Sequence, residues 1–247
     1  MAAETSGKMS SAASSVTASA CAVIFDFDGV LVDSERLHCE TMGKALRGVL
    51  PPPSWSTYCA RLMGSDDRDS FSYLLRQGGI LPTPERLRSL VETKARLFAR
   101  AAAEGRIPPL PGAVEFVRAC ARSLPVALCS GALRSDILPL LRHIGLENTF
   151  RVILTAEDVL RSKPDPSSYQ LCLERLAAQS PCRALPADRV WAVEDTPDGI
   201  TSARGAGLRV LALTSQFSAN LLEQAGAIRT APSLQNLEPA ILTLPEF

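Results

Sequence analysis

Five short apolar runs constrain this chain more than any other feature: Ala22-Val-Ile-Phe25, Val126-Ala-Leu-Cys129, Val152-Ile-Leu154, Val190-Trp-Ala-Val193 and Arg209-Val-Leu-Ala-Leu213. None shows the apolar–polar alternation of a strand with one wet face. Unbroken runs of this length suit strands buried on both faces, as in a parallel sheet between two helical layers. Helical spacing fills the intervals. Phe116, Val117, Cys120 and Leu124 share one face, as do Ile137, Leu141 and Ile144, after which Gly145 supplies a stop. Asp165-Pro166 and Thr196-Pro197 each read as a helix N-cap followed by proline at the first helical position. The alternation predicts an open, doubly wound α/β fold with a parallel sheet.

One stretch departs from the alternation. Between residues 35 and 105 the patterns are helical. Met42, Ala45, Leu46, Val49 and Leu50 form one apolar stripe, Phe71, Leu74 and Leu75 a second, and Leu87, Leu90, Val91, Phe98 and Ala101 a third. Pro51-Pro-Pro53 and Gly78-Gly79 separate them. The expected division is therefore a tail over 1–20, an α/β core over 21–34 and 106–247, and a helical cap over 35–105 inserted after the first strand. Pro108-Pro-Leu-Pro-Gly112 returns the chain to the core. A length of 247 residues accommodates a core domain with a smaller insert.

Composition narrows the function classes. Lys and Arg number 26 and Asp and Glu 26, so no general field favours nucleic acid or an anionic membrane. An anionic ligand has to be held by a few local groups. No apolar run reaches the roughly eighteen residues of a membrane span. The seven cysteines form no C-x-x-C pair and only two histidines exist, which speaks against a zinc site and for a reducing, cytoplasmic compartment. Residues 1–20 are rich in Ala, Ser and Thr, lack the apolar stretch of a secretory signal and contain no Arg. They read as a disordered tail, with organellar targeting left open.

The first apolar run ends in acid, at Asp26-Phe-Asp28-Gly29. Burying unpaired carboxylates costs on the order of several kcal/mol, so a neutralising cation would make sense of the pair. A loop that simply turns at Gly29 is the competing reading. It loses ground when the other strand ends are counted. Ser130 ends the second run, Lys163 follows the third, and Glu194-Asp195 end the fourth. In open α/β sheets, ligands bind outside the carboxyl ends of the strands, at a topological switch point. A nucleophile, a hydroxyl, a fixed positive charge and further carboxylates would gather there.

These segments resemble the haloacid dehalogenase superfamily of capped phosphohydrolases, in the branch of phosphoglycolate-phosphatase-like and β-phosphoglucomutase-like enzymes. The resemblance rests on Asp26-Phe-Asp-Gly-Val-Leu-Val-Asp33, Leu128-Cys-Ser130-Gly131, Ser162-Lys163-Pro-Asp-Pro166 and Val193-Glu194-Asp195-Thr-Pro-Asp-Gly199-Ile200. The motifs fall in the family's order and cover about residues 21–215. The resemblance implies a Rossmann-like core with a helical cap and a Mg2+-dependent phosphatase acting on a small phosphorylated metabolite such as a sugar phosphate. It implies Asp26 as the nucleophile that forms an aspartyl phosphate and Asp28 as general acid and base. Ser130 would bind a phosphoryl oxygen, and Lys163 would hold phosphate and nucleophile together. The Asp26 side chain, the Asp28 backbone oxygen and Asp195 are the implied Mg2+ ligands, with Glu194 acting directly or through water. Related sequences carry a further acid where Gly199 stands here. Asp198 reads instead as a helix N-terminal acid favoured by the macrodipole, and Asp33 as a residue that fixes the nucleophile loop.

The cap would exclude stray water and select the substrate. His38, on the first cap helix near the acidic loop, is either a satisfied junction residue or a site group. Arg134, four residues after Ser130, either reaches an anionic group of the substrate or lies on the surface. Gly64-Ser-Asp-Asp-Arg68-Asp is placed to face the substrate, and its basic residue is shifted by one position from the mutase pattern. The alternatives are a sugar-phosphate mutase with the same covalent chemistry, a dehalogenase, against which Asp28 and Glu194-Asp195 argue, and a non-catalytic binding protein on the same scaffold. A monomer is expected, since the cap already covers the site.

Overall fold

A computed structural model describes residues 20–63, 65–179 and 185–242. The tail assigned to 1–20 thus lies outside the described residues except for Ala20, as do Gly64 and Cys182. Six strands form one parallel sheet: β1 (Ala22–Phe25), β2 (Val126–Cys129), β3 (Val152–Leu154), β4 (Val190–Glu194), β5 (Arg209–Leu213) and β6 (Arg229–Ala231), in the order β3-β2-β1-β4-β5-β6. The chain runs outward from β1 through β2 to β3, then returns to lay β4 on the other side of β1. That reversal puts the switch point at the end of β1. Register fixes what meets there, because Phe25 pairs with Leu128 on one side and with Val193 on the other. The residues one step beyond each strand therefore arrive at one edge.

Both faces of the sheet are dry, which is why the strands are unbroken apolar runs. Val23, Phe25, Leu128, Trp191 and Val193 pack on α5 (Ala113–Ala121) and α6 (Arg134–His143) through Phe116, Val117, Cys120, Ile137, Leu140 and Leu141. Ala22, Ile24, Ala127, Cys129 and Ala192 face the other way. They pack on α7 (Ser167–Ala178), α8 (Pro197–Gly205) and α9 (Ala219–Gln224) through Tyr169, Cys172, Leu176, Ile200, Ala203 and Leu222.

Between β1 and α5 lie α1 (Glu35–Ala45), α2 (Trp55–Arg61), α3 (Asp67–Gln77) and α4 (Pro84–Ala103). Ser54, Asp66 and Thr83 cap α2, α3 and α4 with side-chain oxygens. Met42, Leu46, Tyr58, Leu62, Phe71, Leu75, Leu87 and Leu90 make a third apolar cluster, distinct from the two that sandwich the sheet. α4 serves two clusters. Its first half carries Leu87 and Leu90, whereas Phe98, Ala101 and Ala102 belong to the cluster under β1 and α6, together with Leu37 of α1.

Three sequence expectations change. The sheet has a sixth strand, β6, beyond the five apolar runs of the sequence. The three apolar stripes of the insert are four helices, because α2 is short and buries only Tyr58. Pro166 occupies the cap position of α7 and Ser167 is its first residue. Asp165 still does the capping chemistry, accepting from the Ser167 N–H at 3.0 Å. Thr196 caps α8 as expected, accepting from the Gly199 N–H at 3.1 Å, with Pro197 first in the helix.

Candidate active site

Asp26 extends the β1–β4 ladder by one step, its N–H donating to the Val193 carbonyl at 2.9 Å. Its carboxylate is then fixed by Lys163, whose ammonium has three donors. Lys163 Nζ donates to Asp26 Oδ1 at 2.5 Å, to Glu194 Oε1 at 2.6 Å and to the Cys129 carbonyl at 3.1 Å. Those acceptors come from the ends of β1, β4 and β2, so one lysine ties three strand ends together. Glu194 is held on every side. Oε1 also accepts from Tyr169 Oη at 2.8 Å, and Oε2 accepts from the Asp195 and Thr196 N–H groups and the Thr196 hydroxyl. Both oxygens are thus occupied, which makes Glu194 a partner of Lys163 and speaks against direct metal ligation in this arrangement.

Glycines set two close approaches. Gly29 has φ +76°, and a Cβ there would lie 1.9 Å from Asp195 Oδ2. The loop after Asp28 therefore closes against Asp195, and the Gly29 N–H donates to the Val32 carbonyl at 2.9 Å. A Cβ on Gly199 would lie 2.1 Å from both carboxylate oxygens of Glu194. This is the physical reason no acid stands at 199: Glu194 already fills the space a side chain needs. Asp198 is exposed in the first turn of α8 and points to no second role.

Ser130 is buried at the end of β2. Its N–H donates to the Leu154 carbonyl at 3.0 Å, and its Oγ accepts from the Ala132 N–H at 3.0 Å. The hydroxyl proton stays available to a ligand. The Asp28 carboxylate turns toward the insert, accepting from Ser34 Oγ and lying 3.5 Å from His38 Nε2. His38 stacks on Phe98 with ring centroids 4.2 Å apart. Its Nδ1 is 2.7 Å from Lys94 Nζ, which donates to Asp67 Oδ1 and Oδ2 at 2.7 and 2.8 Å. An ammonium can only donate, so Nδ1 is the acceptor and Nε2–H points at Asp28.

The electrostatics follow from burying several acids against few bases. Burial pushes the Asp26 carboxyl well above its usual value, opposed by the Lys163 charge and reinforced by Glu194 and Asp28. Burial and the repulsion of Glu194 and Asp26 do the same to Asp195. Lys163 shows the opposite balance: burial favours its neutral form, but the charges of Asp26 and Glu194 hold its pKa well above normal. Burial would also raise Asp28, yet the hydrogen bond from His38, the Ser34 hydroxyl and the charge of Lys94 hold it below the usual carboxylate range.

Carboxylate oxygens of Asp26, Glu194 and Asp195 approach within 4.8 Å of one another. Asp195 Oδ1 is buried without a hydrogen-bond partner. A buried orphan oxygen beside two like charges is costly, and a hard cation with oxygen ligands fits it.

The structure separates the two readings of Arg134 and shows how Asp33 holds its loop. Arg134 does not turn to the phosphate side. Its guanidinium donates to the Ile153 carbonyl at 3.1 Å and to Asp158 Oδ2 at 3.3 Å, so the turn after β3 uses it. Asp33 fixes the loop through its backbone N–H, 3.0 Å from the Pro108 carbonyl, while its side chain is exposed. Sequence reasoning missed Tyr169, Lys94, Asp67 and Ser34. Tyr169 gives no sequence signal, since it reads as one more apolar helix position. Asp67 belongs to the acidic loop Gly64-Ser-Asp-Asp-Arg68-Asp, beside its one basic residue.

The chain is similar to known proteins over most of its length. The family model described as "Haloacid dehalogenase-like hydrolase" matches residues 23–213. A phosphorylated carbohydrates phosphatase from Thermotoga maritima is 31% identical over 210 residues, covering 84% of this chain and 92% of that protein. The CbbY protein of Rhodobacter capsulatus is 27% identical, covering 80% and 86%. The crystal structure of CbbY from Rhodobacter sphaeroides in complex with xylulose-(1,5)bisphosphate superposes with a TM-score of 0.80 at 26% identity, over 91% of this chain and all of that one.

Proposed function

We propose, from the premise that the chain belongs to the haloacid dehalogenase-like hydrolases, that Asp26 carries out phosphoryl transfer in a phosphatase acting on a small phosphorylated sugar. The activity is that of a phosphoric monoester hydrolase, in line with the phosphatase named among the relatives. The single observation that carries the residue roles is the Lys163 bridge between Asp26 and Glu194 at the switch point.

The chain's own groups divide the work. Asp26 attacks phosphorus, a P–O bond forms to its carboxylate, and the bond to the leaving oxygen breaks. Lys163 orients Asp26 and offers positive charge to the phosphoryl oxygens, and Ser130 offers its hydroxyl proton to one of them. Asp28 gives a proton to the leaving oxygen. It then takes one from the water that cleaves the aspartyl phosphate. An arriving phosphate dianion favours the protonated form of Asp28 by like-charge repulsion, against the lowering by His38 and Ser34. Mg2+ fits the oxygen-only donor set, with Asp26 and Asp195 as side-chain ligands and the Asp28 carbonyl alongside. When bound it offsets repulsion between phosphate and carboxylates.

A panel of phosphorylated sugars with Mg2+, followed for free phosphate and for rearranged sugar phosphate, tests this reading. Asp26→Asn is expected to lose about 10³-fold or more of phosphate release, and Asp28→Asn about 10²- to 10⁴-fold. Rearrangement without release would make the protein a mutase. Release that survives Asp26→Asn would overturn the mechanism.

A further inference from the structure

The wall beside Asp28 constrains what the leaving group can be; the inference rests on the phosphatase reading above. The leaving oxygen must come within hydrogen-bond reach of the Asp28 carboxyl, so the organic part of the substrate begins there. The side chains that continue from Asp28 are His38, then Lys94, then Asp67, each in contact with the one before. Lys94 is the one ammonium in this series and is only 4% exposed. Its three donors are spent, two on the oxygens of Asp67 and one on His38 Nδ1. A further carboxylate, Asp136 in the first turn of α6, is buried on the core side and feels Lys94, His38, Asp28 and Asp67. Asp28 and Asp67 thus touch one imidazole and one ammonium, and Asp136 acts on both through its charge. Nearby arginines do not redress the balance: Arg36 lies 4.1 Å over the Trp55 ring and Arg134 is held by Asp158. Arg68 follows Asp67 directly and is exposed.

We infer that Asp67 determines substrate specificity by occupying Lys94. With that ammonium neutralised, the described side chains that continue inward from Asp28 offer a second anion no unspent buried cation and three carboxylates. The enzyme therefore selects monophosphates whose remainder is neutral and hydroxyl-bearing, and discriminates against sugar bisphosphates and phosphorylated carboxylic acids. This is specificity by repulsion, built into the wall rather than into contacts with the preferred substrate. Removing the Asp67 charge leaves Lys94 buried and unpaired, a state that a second phosphate relieves.

Steady-state kinetics on matched esters test the inference: ribose 5-phosphate with ribose 1,5-bisphosphate, fructose 6-phosphate with fructose 1,6-bisphosphate, and glucose 6-phosphate with glucose 1,6-bisphosphate. Wild type is expected to show kcat/KM at least about tenfold lower for the bisphosphate of whichever pair it hydrolyses. Asp67→Asn is expected to shift that ratio toward the bisphosphate by about tenfold or more, chiefly through KM, the parameter that reports uniform binding. Adding Lys94→Gln to Asp67→Asn should erase the gain, and Lys94→Gln alone should deepen the discrimination, which keeps the test open if Asp67→Asn does not fold. Arg68→Ala should leave the ratio in place. Equal use of both esters by wild type, a ratio unmoved in Asp67→Asn, or a ratio governed by Arg68 would each overturn the inference. Hydrolysis of none of the esters by folded protein with Mg2+ would instead strike the phosphatase reading itself.

Discussion

Lys163 neutralises Asp26 and Glu194 together, and a third acid, Asp195, is buried beside them with one oxygen unpartnered. One ammonium against three carboxylates leaves a deficit that a divalent cation removes. Mg2+ at a hundred times its Kd is expected to stabilise the fold by about 2.7 kcal/mol, read as a rise in Tm. Asp195→Asn should abolish that response and raise Tm in chelator, because it removes a buried like charge. Asp136 offers a separate test. Burial pushes its pKa up to about 6 from an ordinary 3.8. The folded protein therefore binds a proton there that the unfolded chain has already lost. The stability this gives is full below the unfolded value and falls as pH rises from about 4 through 6, by on the order of 2 kcal/mol. Asp136→Asn should flatten that part of the Tm–pH curve. Gly199→Ala forces Glu194 aside, and a loss of about 1–3 kcal/mol is expected in denaturant melts, with phosphate release falling as Lys163 loses its second partner.

Among the elements, α4 carries the most consequence. Phe98 is 2% exposed, stacks on His38 and packs in the cluster under β1 and α6. Phe98→Ala is expected to cost about 3–5 kcal/mol and to free the His38 ring, so Asp28 loses its orienting partner as well. Sequence legibility follows from how each element is stabilised. The strands β1, β2, β4 and β5 were readable because both their faces are buried, which writes an apolar run into the chain. β6 was not, because Arg229-Thr-Ala231 is a short edge strand and only Ala231 is buried. α2 is not legible because seven residues with one buried side chain carry no apolar stripe. The residues at the strand ends were legible for the converse reason: acids after dry strands have no packing purpose. Tyr169 and Lys94 come from helices remote in sequence, and only the fold brings them in.

At the scale of the molecule, the sheet order places β1 between β2 and β4, and the site draws on the ends of all three. The insert leaves the chain at that same edge, so the residues that close over Asp28 come from α1, α3 and α4. Among the described residues no helix is long and apolar enough to cross a membrane. α4 adds a consequence for recombination. A chimera that swaps residues 35–105 as one cassette would carry away Leu37, Phe98, Ala101 and Ala102, which the recipient's core needs. A splice placed within α4, after Val91 and before Phe98, leaves the α4 part of that core with its native partners, and only Leu37 then has to be retained by hand. Donor segments exchanged that way would import a foreign substrate wall onto an intact phosphoryl-transfer centre.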